Sequence, residues 1–306
     1  MPKNIKAFIK RHKFLYSIAK RLLSLRKINL KTRIKQASNF LRKRSVLKKQ
    51  LTLPEIKAYF NELMQRDNIK ICVQVHLFYL DLVDEIIRNL NYIPFLYHCY
   101  ISTDTDEKAE IIQSEVKSRC KNAIMVYITK FDNRGRDVAP LIEQMKNNLN
   151  QYEYILHIHT KKSIMCNNSG NKWRKHLYKH LLGSIKNVYY VFCQFANNKN
   201  LGLLFSETFP DVVPLKWGED ELIGKNNVFE FLGKINVTAA LSDVPDFPAG
   251  NMFWARTKSI QKIFDSSIAT DDFPIEDGQL DLTLAHAIER SWVYIAQSEG
   301  YDFEYL

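Results

Sequence analysis

Residues 69–104 read IKICVQVHLFYLDLVDEIIRNLNYIPFLYHCYISTD, and their alternation decides the fold. Two short apolar runs, 69–76 and 95–102, flank a helical stretch from Asp81 to Leu90, and a second helical stretch, Asp106 to Arg119, follows. The pattern continues with a strand from Ala123 to Thr129, a helix from Val138 to Leu149 and a strand from Tyr152 to His157. Strand and helix in regular succession favour parallel βαβ units, whose ligands gather at the carboxyl ends of the strands. The polar residues fall at those ends: His76 after the first strand, Asp104 after the second, Asp132 to Asp137 after the third, and His157 to Ser163 after the fourth. One crevice is expected to collect them. Downstream, helices are expected at Trp173 to Gly183, Ile185 to Ala196 and Lys225 to Gly233, with a strand at Leu201 to Phe205. A strand from Phe247 to Arg256 and helices at Lys258 to Phe264 and Gly278 to Arg290 complete the body. No repeat breaks it, so residues 69–306 read as one domain.

The chain of 306 residues is 46% hydrophobic and 12% aromatic, which excludes wholesale disorder. No window approaches the roughly 20 uninterrupted apolar residues of a membrane-spanning helix. Residues 1–50 hold 17 Lys or Arg and no acid, leaving 27 basic against 33 acidic residues in the remainder. The formal charge of +11 thus describes a basic arm joined to a mildly acidic body. In the arm, Ile5, Phe8, Ile9, Phe14, Leu15, Ile18, Leu22, Leu23 and Leu25 recur near helical spacing, the pattern of a basic amphipathic helix. Such a helix grips an anionic membrane surface at about 1 kcal/mol per basic residue. A solvated lysine-rich tail is the plainer reading. Nucleic acid comes last, because the arm has few aromatics for base stacking and the body is net acidic. Lys and Arg recur throughout the first 50 residues, unlike an export signal. Residues 51–68 read as a linking helix with Pro54 in its first turn. Five cysteines without a C-x-x-C spacing fit buried thiols in a reducing cytoplasm.

Four segments carry the candidate chemistry. In Asn133-Arg134-Gly135-Arg136-Asp137, glycine permits a tight turn and two guanidiniums can fork onto phosphate oxygens. The same segment also reads as a solvated turn with Asp137 capping the next helix. In His157-Ile158-His159-Thr160-Lys161-Lys162, strand alternation puts both histidines on one face, where they can share a metal, bind substrate hydroxyls or simply pack; the lysines can neutralise a diphosphate. Two histidines without a third ligand are a weak metal signal. Phe247 to Trp254 sets small residues beside aromatics, as a ligand wall or as a core strand. Phe273 to Asp281 offers Glu276, Asp277 and Asp281 ahead of a helix bearing His286, Glu289 and Arg290. These carboxylates suit either helix capping or deprotonation of an attacking hydroxyl.

The strings VHLFYLDL, NRGRDVAPL, YILHIHTKKS, W-R-K-H-L with LLGS, FPAGNMFWAR, and F-P-x-E with D-x-T-L-A-H-A-I-E-R together resemble the rhamnan synthesis protein F family, over roughly residues 70–301. The resemblance implies a bacterial surface-polysaccharide glycosyltransferase with a Rossmann-like, nucleotide-sugar-binding type A fold. It places His76, Asn133, Arg134, Gly135, Arg136 and Asp137 on the nucleotide side, and His157, His159, Lys161 and Lys162 toward the sugar diphosphate. Gly250, Asn251, Trp254 and His286 fall to the acceptor side. Glu276 is the first choice of general base, Asp281 the second and Asp277 the third. Where such enzymes carry an Asp-x-Asp metal motif this chain has His157-Ile158-His159, so Lys161, Lys162, Arg134 and Arg136 are expected to neutralise the diphosphate. A divalent cation, Mg²⁺ or Mn²⁺, stays open as cofactor. Leu282 stands where the family pattern has glycine.

The implied reaction moves a sugar, rhamnose or a related deoxyhexose, from a nucleoside diphosphate to a lipid-linked glycan. The enzyme would act at the cytoplasmic face of the membrane, held there by the arm. The alternative is a non-catalytic glycan-binding or scaffold protein of a polysaccharide assembly complex.

Overall fold

A computed structural model describes residues 70–162, 169–210, 217–218, 220–243 and 245–306. The expected arm 1–50, the linking helix 51–68, Ser163 and Cys166 lie outside the described residues. The chain runs β1 (Ile71–His76), α1 (Val83–Leu90), β2 (Tyr97–Thr103), α2 (Asp106–Arg119), β3 (Ala123–Lys130), α3 (Val138–Met145) and β4 (Tyr154–His159). It continues through α4 (Ser169–Leu181), α5 (Ile185–Asn197), β5 (Leu201–Phe205), α6 (Glu221–Lys234), β6 (Phe253–Arg256), α7 (Thr257–Phe264), α8 (Leu284–Ser298) and β7 (Asp302–Tyr305).

The seven strands form one sheet in the order β3-β2-β1-β4-β6-β5-β7. The β1–β2, β2–β3 and β1–β4 pairs are parallel, as the βαβ reading requires, and every residue of β1 and β4 is buried, as in central strands covered on both faces. β6 runs antiparallel to both of its neighbours, β4 and β5. Strand order reverses at β1, with β2 on one side and β4 on the other, and the crevice beyond their carboxyl ends is the usual ligand position of such a sheet.

Side-chain caps fix the helix starts. Thr105 Oγ1 accepts from Lys108 N at 3.2 Å ahead of α2, and Asp220 Oδ1 from Ile223 N at 3.0 Å ahead of α6. β4 begins two residues later than expected, because Tyr152 closes a 3-10 turn over Leu149–Gln151 and Tyr154 N bonds Lys70 O. Both histidines therefore belong to the strand, where His157 pairs with Gln74 and His159 with His76.

Two expected elements are shorter than the sequence suggests. Residues 247–252 form a turn, with Gly250 at φ +96° and Asn251 at φ +50°, and only Phe253–Arg256 is strand. The last helix starts at Leu284, because Gly278 at φ +72° and Leu282 at φ +65° cannot join a right-handed helix. Leu282 thus occupies the left-handed region, at a position where the sequence reading expected glycine. β7 was not anticipated.

Cys72, Cys99, Cys120 and Cys193 are free and buried, and burial raises the thiol pKa of each. None is poised as a thiolate. No helix among the described residues is long and apolar enough to cross a membrane.

Candidate functional site

A buried polar chain links the strand ends. His157 Nδ1 lies 2.6 Å from Gln74 Oε1, and Gln74 Nε2 donates to Ser102 Oγ at 3.2 Å and to Gln144 Oε1 at 2.9 Å. On its other side His157 Nε2 lies 3.1 Å from Asp137 Oδ2, which also accepts from Asn251 Nδ2 at 2.6 Å. Trp292 Nε1 on α8 closes the chain by donating to Asn251 Oδ1 at 2.7 Å. Burial works against the charge of Asp137, but the adjacent His159 and His157 and the Asn251 amide hold its carboxyl well below the ordinary range. Asp137 heads α3 without capping it, since its side chain makes no cap hydrogen bond and turns instead to His157.

His159 stacks on His157 with ring centroids 6.2 Å apart, so the two share one face as strand alternation predicts. Its Nε2 bonds Gly250 O at 2.8 Å, and Tyr178 OH donates to its carbonyl at 2.7 Å. His157 has no exposed surface and both of its ring nitrogens face acceptor oxygens, so it buttresses the site from beneath instead of facing a diphosphate. Among the described residues, no set of three His, Cys, Asp or Glu side chains is placed to hold a metal ion. Burial pushes His76, His159 and His286 down to about 4, so all three are neutral near pH 7.

The loops above the sheet are tied by groups the sequence did not single out. Thr160 Oγ1 accepts from Phe78 N at 3.0 Å and Tyr79 N at 3.2 Å, joining the β1 and β4 loops. Buried Arg174 bonds Glu85 at 2.9 Å and the Lys161 carbonyl at 2.8 Å, holding the backbone that presents Lys161. The Lys161 ammonium sits 3.9 Å from the Trp173 ring centroid, a cation–π contact.

The 133–137 turn meets the 273–290 segment. Gly135 has φ +66°, and a Cβ there would lie 2.6 Å from both Ala139 Cβ and Phe273 Cγ, so only glycine fits. Arg136, at φ +57°, is held in that disfavoured region by Glu276 at 3.3 Å, His286 Nε2 at 2.9 Å and the Gln279 carbonyl. Arg134 instead turns to Asp271 at 2.8 Å and Phe273 O, and Lys162 pairs with Asp81 at 2.6 Å on the surface; both expected diphosphate partners are thus engaged elsewhere. Asn133 is exposed.

The three candidate bases differ sharply. Glu276 shares its charge with Arg136. Asp281 is gripped by Arg290 through two bonds of 2.9 Å, and although burial opposes its charge the guanidinium lowers its pKa, which makes it a weak base. Asp277 is exposed. The expected acceptor wall needs correction. Trp254 has no exposed surface and donates its Nε1 to Leu181 O at 3.2 Å, because β6 is an interior strand with both faces covered. Asn251 is buried within the Asp137 chain, and His286, largely buried, bonds Arg136 and Thr283. Gly250 is buried too, its N–H donated to Glu289 Oε1 at 2.6 Å and its carbonyl bonded by His159. Glu289, named in the sequence only as part of the last helix, and Trp173, present only as the start of a helix and of the W-R-K-H-L string, were given no role there.

A family model for rhamnan synthesis protein F matches residues 5–301. The chain is also 32% identical over 224 residues to an uncharacterized protein WxcX from Xanthomonas campestris pv. campestris strain B100, a match covering 72% of this chain and 30% of that protein. The protein of the same name from strain ATCC 33913 matches equally, at 32% identity over 224 residues. The match therefore spans less than a third of these relatives.

Proposed function

Because the chain belongs to the rhamnan synthesis protein F family, and so to the proteins of rhamnan polysaccharide synthesis, we propose that it is a glycosyltransferase. It transfers rhamnose or a related deoxyhexose from a nucleoside diphosphate to a lipid-linked surface polysaccharide. The observation that supports this reading is the reversal of strand order at β1, with Arg136 bonded to Glu276 and Lys161 lying over Trp173 on the segments that follow the strand ends. The strand order 3-2-1-4 supports a nucleotide-binding half of Rossmann type, and the wider type A fold is part of the proposal.

In this reading the acceptor hydroxyl gives its proton to Glu276 as its oxygen bonds the anomeric carbon. The bond from that carbon to the diphosphate breaks, and the leaving diphosphate keeps the electron pair. Arg136 and Lys161 stabilise the departing charge, the arrangement of a positioned base with preorganised cations. Asp281, fixed to Arg290, shapes the loop.

Thermal unfolding with thymidine, uridine and guanosine diphosphates and their sugars, with and without Mn²⁺, tests the donor site. A ligand at about 100 times its Kd adds roughly 2.7 kcal/mol, so one nucleotide family is expected to raise Tm by several degrees. No shift with any of them at millimolar concentration refutes the donor site and favours a non-catalytic scaffold. A shift that needs Mn²⁺ replaces neutralisation by Arg and Lys with a bound cation.

The basic arm is proposed to hold the enzyme at the inner face of the cytoplasmic membrane. Removing residues 1–50 is expected to abolish flotation with anionic vesicles at low salt, and undiminished flotation counts against that role.

A further inference from the structure

β3 ends the sheet on one side, and among the described residues no strand pairs with its outer edge. Phe131 N donates to Thr103 O at 2.8 Å, so by strand alternation residues 127, 129 and 131 direct their backbone groups to β2. Val126, Ile128 and Lys130 therefore direct theirs outward. Such a row of N–H and C=O groups is a template for a further strand, which monomers block with charge, proline or bulges. Ala123–Lys130 contains no proline and one charged residue, Lys130, which Asp106 holds at 2.6 Å. Its register shift lies at the start of the strand, opposite Tyr97 and His98, and leaves the rest of the edge regular.

One face of this edge is open as well. Half-buried Val126 and Ile128 lie on the side where α2 packs and where Lys130 meets the first residue of α2. Met125, Tyr127 and Thr129 alternate to the opposite face, where Met125 is 46% and Tyr127 40% exposed. Tyr127 stacks on Tyr100 of β2, with ring centroids 4.8 Å apart, so its ring is held in place beside the open edge.

We propose that the outer edge of β3 pairs antiparallel with β3 of a second copy of this chain, making one sheet continuous across a two-fold axis. An isologous pairing of this kind sets facing residues on the same side of the sheet and outward backbone groups against outward backbone groups. Registers centred on Tyr127 or on Ile128 satisfy both conditions, and charge selects the first. With Tyr127 on the axis, Val126 faces Ile128 of the second copy and Met125 faces Thr129. Exposed Asp132 then comes opposite Asn122 and beside exposed Lys121 of the second copy, and the symmetry repeats that contact at the other end. The two Tyr127 rings meet as a cross-strand aromatic pair, a favourable combination at a sheet edge. The pairing is independent of the transferase reading.

Sedimentation equilibrium of the full chain is expected to show a dimer. Tyr127→Lys sets like charges directly opposite each other and is expected to raise the dimer Kd at least about tenfold, with the fold kept because the side chain lies at the surface. Lys121→Glu is expected to weaken the dimer too, and adding Asp132→Lys to restore it. Tyr127→Cys is expected to give a disulfide-linked dimer under mild oxidation beyond the wild-type background, because facing Cα atoms of such a pair lie about 4.5 Å apart. Thr129→Cys, which faces Met125, is expected to give none. If Tyr127→Lys does not fold, the charge exchange and the two cysteine variants decide the matter. Wild-type protein that stays monomeric at about 100 µM overturns the proposal and leaves the edge to a strand of a different protein. A dimer unchanged by Tyr127→Lys, or linked as readily through Thr129→Cys as through Tyr127→Cys, overturns it as well.

Discussion

Asp137→Ala is expected to destabilise the protein by about 3–5 kcal/mol, the usual cost of removing one partner from a buried, hydrogen-bonded charge cluster. Two groups lose a hydrogen-bond partner at once, and a third, His159, loses a nearby charge. His157 Nε2 and Asn251 Nδ2 are hydrogen-bonded to Oδ2, and His159 Nε2 lies 3.8 Å from it, all in a region with almost no solvent access. Asn251 also anchors Trp292, so the loss reaches α8. For a domain of this size the expected fall in Tm is about 10 °C. Asp137→Asn retains an acceptor oxygen and is expected to cost less, about 1–3 kcal/mol. Thermal unfolding of both variants checks the order; an alanine variant within about 2 °C of wild type would refute a central role for this network.

The second large effect is acid sensitivity beginning well above the carboxylate range. Burial lowers His76, His159 and His286 from 6.5 to about 4 in the folded chain. Each binds a proton in the unfolded chain below pH 6.5 but not in the folded one until near pH 4. The stability they confer is therefore fully present above pH 6.5 and is lost as pH falls from 6.5 to 4. Each can contribute at most about 3 kcal/mol, and their shared neighbours make the sum smaller than three separate shifts. Asp137 acts in a lower window: its depressed pKa gives stability present above the unfolded carboxylate value and lost only as pH falls further, below about 4. Denaturant unfolding from pH 7 to 4 is expected to show a steady decline of several kcal/mol, and His286→Gln is expected to flatten it. Constant stability between pH 6.5 and 4.5 would contradict the neutral, buried state of these histidines.

Much of the first half of the fold was legible because local signals agreed. Asp106–Arg119 begins after a Thr cap and matches the expected helix end to end, and the β1 to β4 alternation left little choice but a parallel sheet. The direction of β6 was hidden, since a strand's own residues do not state which way its neighbours run. The false start of the last helix at Gly278 has a clear cause: Leu282 looks helical in sequence but adopts a backbone that leucine disfavours.

At the site, positions were more legible than roles. The histidines, the 133–137 turn and Gly250 do converge, yet Asp137 faces inward, Trp254 is core and two of the four expected cations are engaged elsewhere. Glu289 was named on its helix but given no role, because a glutamate on a helix ordinarily points to solvent. Only the fold brings it onto the Gly250 amide, 39 residues away in sequence.

The antiparallel setting of β6 has a consequence for how the domain can be divided. Because β6 enters the sheet where β1 and β4 leave it, the network that begins at Gln74 is completed by Asn251 and Trp292. No contiguous fragment shorter than residues 74–292 contains it, so the candidate site is a property of almost the whole module and cannot be trimmed to its nucleotide-binding half. The 224-residue region shared with the much longer Xanthomonas proteins is about that length, enough for one such module to be carried entire inside a larger chain.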